Sequence, residues 1–487
     1  MDDIKGVEKA DLVVIGSGAA GLAAALTAAE GGLRVMILEK QRLIGGSSNF
    51  FEGTFAVESD LQRREYITYT RDEAFKAFME YSHWRANPRI VRAFVEESAA
   101  TISWLQRYGV EFSSVSVLMA NAERTYHVPR GAGEAVVRCL VSAAKEKGVQ
   151  LELGMAAQQI IRENNRIAGV VAIGQDGESL RIDSRAVFVA TGGYTNNKEW
   201  IKRYAGFNLD TNLFPVGNID KMGDGIRMAW EVGADAEGMG VVEMYRIGPM
   251  GPEFAMKSHL QVAAVQPDLW VDYRGERFCD EGVSFNDTAA GNVSARYKQA
   301  FTFSVLDDSI KQTMIDNGID RNMSQDNLPG TRPFDFDREM SAAIQQGSKE
   351  VFAADSVEAL AGQMDVEPAV LAATVTEYNG FCEKGHDDLF AKDPKYLRPL
   401  KGPRFYAMKC RTISLGTIGG IKINERMEAL DKKDRVIPGL YAGGMDAGGM
   451  WGDSYPIREG NGTSSAFAIN SGRMAAKSLL HFISRNV

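Results

Sequence analysis

The amino-acid sequence predicts an α/β fold, and three observations carry that prediction. The apolar run Leu12-Val13-Val14-Ile15 turns into Gly16-Ser17-Gly18-Ala19-Ala20-Gly21. Gly16 suits a tight turn, Gly18 offers bare backbone to a pyrophosphate, and Gly21 lets a helix begin close against the strand. Next, Val35-Met36-Ile37-Leu38 reads as a second strand, and Glu39 at its end is placed to accept both hydroxyls of a ribose. Finally, Ala186-Val187-Phe188-Val189-Ala190 is an unbroken buried strand that stops at Thr191-Gly192-Gly193. The first two stretches form a dinucleotide cradle. Lys40 and then Gly45-Gly46-Ser47-Ser48 add small groups and hydroxyls where a second phosphate contact would lie.

At 487 residues the chain is long enough to bury a large core and to divide into two domains. Its composition, 45% apolar and 24% charged, is that of an ordinary globular protein. A net charge of −9 gives it no electrostatic attraction to nucleic acid or to an anionic membrane surface. The start, Met1-Asp2-Asp3-Ile4-Lys5, is acidic rather than basic, so no signal peptide is expected. Nothing approaches the roughly eighteen unbroken apolar residues of a membrane span, and a cytoplasmic location is the expectation. Cys139, Cys279, Cys382 and Cys410 show no CxxC spacing, which argues against zinc, iron–sulfur and covalent haem. The five histidines are as scattered, and no metal site is expected.

Beyond the cradle, Arg71 to Tyr108 reads as helices, with Pro88 opening the second of them. Glu134 to Lys147 is an amphipathic helix that Gly148 ends. Residues 149–153 and 166–173 read as strands, and a turn at 174–177 leads to another at 179–182. From about Ala236 the pattern changes to clustered Met, Pro and Gly, which reads as an inserted domain running to roughly Gly347. Val357 to Phe381 forms two helical segments broken at Pro368, and Glu383 to Lys401 reads as a charged surface loop. Val436 to Gly444 returns as a strand with a glycine turn, and a helix begins near Thr463-Ser464-Ser465. Such a helix N-terminus stabilises negative charge.

The order of pieces resembles the fumarate reductase and 3-ketosteroid dehydrogenase superfamily of FAD proteins. The matching stretches are GSGAAGLAAAL, ILEK, GGSS, ATGG, DGIRMAWEVGA, VDYRGERFCDE, GTIGGIKIN and VIPGLYAGG. The resemblance implies a Rossmann-like FAD-binding domain with an inserted α+β capping domain that closes over the substrate. Domain limits follow as residues 1–235 and 348–487 for the flavin domain and 236–347 for the cap. Non-covalent FAD would then be held by Gly16, Gly18, Ala19, Ala20, Gly21, Glu39, Lys40, Gly46, Ser47, Ser48 and Gly53. Ala190, Thr191, Gly192, Gly444, Thr463 and Ser464 complete the set.

Members of the superfamily move hydride between flavin N5 and a carbon beta to a carbonyl, which requires an oxygen-binding donor and an acid or base. The fumarate reductases' acid falls on Phe285, their histidine on Gly416 and a carboxylate-binding arginine on Tyr455. A dianion the size of succinate would find little to neutralise it. The ketosteroid branch matches better: Leu415-Gly416-Thr417 fits its LGT, and Gly452-Asp453-Ser454-Tyr455-Pro456 fits the loop whose tyrosine holds the ketone oxygen. Tyr455 stays a neutral donor, since a free phenol ionises only near pH ~10.

The missing acid leaves Tyr126, His127 and Arg246 as candidates, while Arg458 is placed either to favour ionisation of Tyr455 through its charge or to bind a carboxylate itself. Trp451, Tyr455, Phe285 and Trp270 suggest an aromatic-lined site, with Ser454 beside them. The expected activity is reduction or formation of a C=C bond conjugated to a ketone, in a cyclic or steroid-like substrate. Two alternatives are an enoate reductase acting on a monocarboxylate and a flavin-binding electron-transfer subunit without its own substrate. An external electron donor or acceptor is implied, because no second nucleotide fold is visible.

Overall fold

The computed structural model describes residues 4–119, 122–217, 219–297, 299 and 301–485, so the acidic start Met1-Asp2-Asp3 lies outside the described residues. Its centre is a six-stranded sheet in the order Glu428–Leu430, Val436–Ala442, Val187–Val189, Leu12–Ile15, Val35–Glu39 and Gln150–Leu153. All neighbours run parallel except the first pair. The middle strands are covered on both faces, which is why their sequences are unbroken apolar runs rather than alternations. The strands predicted at the cradle and at 186–190 are therefore neighbours in space.

Helix Ala19–Glu30 follows the first strand and packs along the long helix Thr463–Arg485. Small residues permit the close approach: a Cβ at Gly472 would overlap the Ala20 carbonyl oxygen. The expected helices are present as Arg71–Tyr81, Pro88–Arg107 and Ala132–Glu146. The first begins with a reciprocal capping box between Thr70 and Glu73, and the second with the Asn87 side chain and Pro88. A separate four-stranded sheet joins Ala156–Glu163, Arg166–Ile173 and Ser179–Ser184 to Ile4–Ala10, a strand that sequence periodicity left unassigned.

A second apolar core gathers residues from Ile247 to Ile413. Its sheet is built on the thirteen-residue strand Phe405–Thr417, which pairs with Thr302–Asp307, Val351–Ala354 and Val242–Ile247. The inserted unit therefore reaches well past residue 347. Residues 348–413 pack with the cap, because Leu360, Leu371, Tyr406 and Met408 bury their side chains there. The charged stretch 383–401 is mostly exposed, as a surface loop is, but two of its charges are withdrawn from water. Lys392 and Asp387 are buried, Lys392 Nζ lies 3.2 Å from Glu281, and Arg277 bridges Glu281 at 2.8 Å and Asp387 at 2.6 Å. Opposite charges brought together from distant positions satisfy one another out of water, which charge count along the sequence cannot reveal.

All four cysteines are unpaired, and Cys279 and Cys410 are buried. Among the described residues no helix is long and apolar enough to cross a membrane, and no group of three metal-ligating side chains gathers.

Candidate active site

The cradle forms where the strands of the central sheet end. Gly16 has φ +106°, and a Cβ there would overlap the Ala190 carbonyl oxygen, while a Cβ at Gly21 would overlap the carbonyl oxygen of Gly16. These glycines are demanded by the packing of the protein itself. Gly18 differs: a Cβ there would meet nothing nearer than the Ser48 hydroxyl at 3.5 Å. Its bare backbone leaves room at the N-terminus of helix Ala19–Glu30, where unpaired N–H groups favour a phosphate.

Glu39 is held in place at that opening. Its Oε2 accepts hydrogen bonds from the Ser17 N–H at 3.0 Å and the Ser17 hydroxyl at 2.7 Å, and its Oε1 accepts from the Gln41 N–H at 2.8 Å. Ser48 Oγ accepts from the Ala19 N–H at 2.9 Å, which places that hydroxyl at the helix start, with exposed Gly46 and Ser47 just before it. Lys40 turns elsewhere, into ion pairs with Asp220 at 2.8 Å and Asp224 at 2.9 Å.

The second glycine turn is organised by a residue that sequence reading missed. The buried Asp446 carboxylate accepts hydrogen bonds from the N–H groups of Thr191, Gly192 and Gly193 and from the Thr191 hydroxyl. Burial pushes this carboxyl up, and the four donors oppose the shift. Ala190 donates to Ile15 O at 2.9 Å, which brings the two glycine turns side by side. Gly444, at φ +58°, donates to Ser471 Oγ at 2.9 Å, and the Gly53 carbonyl accepts from Ser465 Oγ at 2.7 Å. At the start of helix Thr463–Arg485, Thr463 Oγ1 is buried without a well-formed partner. A buried orphan hydroxyl, an open glycine and a fixed carboxylate at a strand end match a dinucleotide's needs.

Beside that helix start lies a buried cluster of acid and hydroxyl groups. Tyr455 Oη accepts from the Ser464 N–H at 3.1 Å, and the Glu243 carboxyl lies near enough to disfavour the Tyr455 phenolate. Glu243 sits on strand Val242–Ile247 directly opposite Gly416 of strand Phe405–Thr417. Burial pushes its carboxyl up to about 7, against the opposing pull of Lys221 and the Tyr455 hydroxyl. Lys221 is itself buried, with Nζ 3.5 Å from Leu415 O, and burial lowers its ammonium to about 8. The Tyr455 and Tyr126 phenols are both held well above the ordinary phenol range by burial. Glu243 raises both further.

Of the residues singled out from the sequence, Tyr455 and Tyr126 thus come together around Glu243. Trp451 joins them, its ring 6.2 Å from Tyr455 and 5.0 Å from Phe467. Ser454 is half-buried and donates to Asp453 at 3.2 Å. Phe285 lies in a cap turn with its ring 5.1 Å from that of Tyr396. Arg458 is exposed.

His127 and Arg246 are committed to the fold instead. His127 is fully buried, with Nδ1 3.0 Å from Thr125 O and Nε2 2.7 Å from Ser59 Oγ, so neither ring nitrogen is left for a substrate. Arg246 donates to Thr302 Oγ1, Ala264 O and Ser304 Oγ and lies 3.8 Å over the Trp270 ring. Its guanidinium has no reach left for proton transfer. Glu243 and Lys221 escaped sequence reading. The signal for Glu243 was a single carboxylate inside the apolar run Val241-Val242-Glu243-Met244-Tyr245.

A strand-end glycine cradle with a fixed carboxylate, beside a buried cluster of acid and hydroxyl side chains, fits a dinucleotide-dependent oxidoreductase. The chain belongs to the family described as FAD binding domain, whose pattern matches residues 11–464. It is 37% identical over 478 residues to a vinyl phenol reductase of Lactiplantibacillus plantarum, covering 96% of each chain. It is 25% identical to a cytochrome-type fumarate reductase of Shewanella frigidimarina, covering 98% of this chain and 78% of that one. Among solved structures, a 3-ketosteroid-Δ4-(5α)-dehydrogenase from Rhodococcus jostii RHA1 superposes with a TM-score of 0.75 at 22% identity, covering 97% of both chains. The protein is an FAD-dependent oxidoreductase acting on C=C bonds.

Bound FAD supplies hydride exchange. Gly18, Glu39 and Ser48 would hold its ADP moiety, and the start of helix Thr463–Arg485 would face its ring system.

Proposed function

We propose that the enzyme reduces a C=C bond conjugated to an uncharged oxygen-bearing group, either a ketone, cyclic enones included, or a phenol. One observation supports the reading: among the described residues named around Tyr455, the buried carboxylates Glu243 and Asp287 are met by one nearby ammonium, Lys221, which faces Glu243, and by the Arg321 guanidinium. Arg321 is spent on Asp287 at 2.9 Å, Arg246 on hydroxyls and a carbonyl, and Arg458 is exposed. Phe285, Gly416 and Tyr455 stand where the resemblance would put a dicarboxylate's partners. A substrate carboxylate would meet like charge in a low-dielectric site.

Tyr455 fits the role of oxygen-binding donor, since its phenol stays protonated at every physiological pH. The 37% identity to a vinyl phenol reductase supports an aromatic or cyclic substrate over fumarate. FAD is bound non-covalently in this reading and is reduced by an external donor.

The test is anaerobic mixing of photoreduced enzyme with a cyclic enone, 4-vinylphenol, acrylate and fumarate in parallel. Fast flavin reoxidation by the first two is expected, and Tyr455→Phe slows it by about 10²-fold or more. Preference for acrylate would establish the monocarboxylate reading instead. No reoxidation by any of the four would favour an electron-transfer subunit.

A further inference from the structure

Resting on the reading above, we infer that the open space in front of Gly416 is the subsite for a phenolic ring of the substrate, whose hydroxyl donates a hydrogen bond to the Glu243 carboxyl. The substrate is then a hydroxyl-bearing aromatic alkene rather than any conjugated oxygen compound.

Gly416 lies inside the thirteen-residue strand Phe405–Thr417 and is buried, and its φ is not in the left-handed region. Glycine weakens the interior of a strand, and it stands there where something must come close to the backbone. The glycines around it are required by the protein's own packing. A Cβ at Gly193 would overlap the Thr417 hydroxyl, one at Gly419 the Gly238 carbonyl, and one at Gly420 the Asp446 carbonyl. A Cβ at Gly416 would meet a single atom within 4 Å, Met445 Sδ at 3.8 Å. Among the described residues nothing else claims that space.

Glu243 borders it. On strand Val242–Ile247 this residue is the direct partner of Gly416. Directly opposed residues of paired strands project to the same face, with Cβ positions about 4.5–5.5 Å apart. The Glu243 side chain therefore rises beside the place that Gly416 leaves vacant. It is 7% exposed, and among the described residues no well-formed hydrogen bond or ion pair reaches its carboxyl. The polar groups nearby are engaged elsewhere, Lys221 Nζ with Leu415 O at 3.5 Å and Tyr455 Oη with the Ser464 N–H at 3.1 Å. A carboxyl withdrawn from water without a donor is costly, and a ligand hydroxyl at this place supplies the donor.

The space opens beside the second glycine turn. A Cβ at Gly193 would also stand 3.3 Å from Met445 O, and one at Gly192 would stand 3.4 Å from Lys221 Cδ. Met445 brings a thioether, which packs well on aromatic rings, and Gly416 brings bare backbone, which a flat ring can approach. The choice of a phenol follows from hydrogen-bond inventory. A phenol oxygen both donates and accepts, so a Glu243 acceptor and a Tyr455 donor can serve one substrate atom, whereas a ketone oxygen only accepts.

The experiment measures binding to oxidised holoenzyme, read from the change in flavin absorption on titration. The ligands are 4-ethylphenol and its methyl ether, 4-ethylanisole. Wild type is expected to bind the phenol about 10- to 100-fold more tightly, the range of a hydrogen bond to a charged group. Glu243→Leu is expected to bring the two ligands within about threefold of each other, and Glu243→Gln, which keeps an acceptor oxygen, to retain part of the preference. A purely structural Glu243 would leave that ratio unchanged. Gly416→Val fills the space and is expected to weaken both ligands by about tenfold or more, with flavin content and melting temperature retained.

Equal affinity of wild type for the two ligands overturns the inference and requires no variant to fold. So does a preference for the phenol that survives in Glu243→Leu. Loss of flavin from a folded Gly416→Val also overturns it, because the space would then belong to the cofactor. Wild type that prefers the phenol yet reduces no alkene overturns the function reading and leaves the subsite standing.

Discussion

The Asp446 carboxylate accepts from the Thr191 hydroxyl at 2.9 Å, although 255 residues separate the two in sequence. With the neighbouring backbone donors of Gly192 and Gly193, this bond decides the shape of the second glycine turn. An amide in its place offers one acceptor oxygen to four donors and aims its own N–H₂ at the rest. Asp446→Asn is expected to cost about 3 kcal/mol, since each stranded buried donor costs about 1–3 kcal/mol. Urea unfolding with flavin retention as a second probe checks this; unchanged stability would refute it.

The two glycines of the first turn make opposite predictions. Gly16→Ala meets both a positive φ and the Ala190 carbonyl, so the variant is expected to lose cooperative folding. Gly18→Ala meets only the Ser48 hydroxyl at van der Waals distance and is expected to keep its far-ultraviolet spectrum and melting profile while failing to retain the yellow cofactor. Full FAD occupancy in Gly18→Ala would show that the pyrophosphate does not cross that backbone.

His127 makes stability depend on pH. Burial lowers its imidazole to about 4, against about 6.5 in the unfolded chain, so the unfolded state binds the proton first. Its contribution is complete above about pH 6.5 and disappears as pH falls toward about 4, for a total of about 3 kcal/mol. Glu243 runs the other way, because its raised carboxyl binds a proton in the folded state between about 4.5 and 7. Comparing wild type with His127→Gln by urea denaturation from pH 7 to pH 4 isolates the histidine. The wild-type curve should fall more steeply.

Arg246 is expected to matter for stability and not for chemistry. Arg246→Met strands the Thr302 hydroxyl and takes one donor each from the Ser304 hydroxyl and the Ala264 carbonyl, which keep their bond to one another, at a cost of roughly 1–3 kcal/mol, yet turnover per bound flavin should stay within about twofold. A hundredfold fall in turnover at full flavin occupancy would return the residue to the active site.

How much could be read in advance depends on the range over which each feature is determined. The glycine turn at Gly16–Gly21, the strand ending at Glu39 and the start of helix Arg71–Tyr81 rest on neighbours within a few residues, and all were legible. The extent of the cap was not. Residues 348–413 carry ordinary helix and strand patterns, and only the strand pairing of Phe405–Thr417 assigns them to the second core. Within the mostly exposed stretch 383–401, the burial of Lys392 and Asp387 was hidden for a related reason, since both are charged in sequence.

By itself, then, the sequence determined the dinucleotide-binding α/β fold and the use of FAD, because those follow from local backbone geometry and from residue identity at motif positions. Only the tertiary structure decided that His127 and Arg246 are spoken for, and that Glu243, Lys221 and Tyr455 are gathered out of water. The reason is physical: a carboxyl's proton affinity is set by burial and by the charges around it, and here those neighbours arrive from strands and loops more than two hundred residues apart.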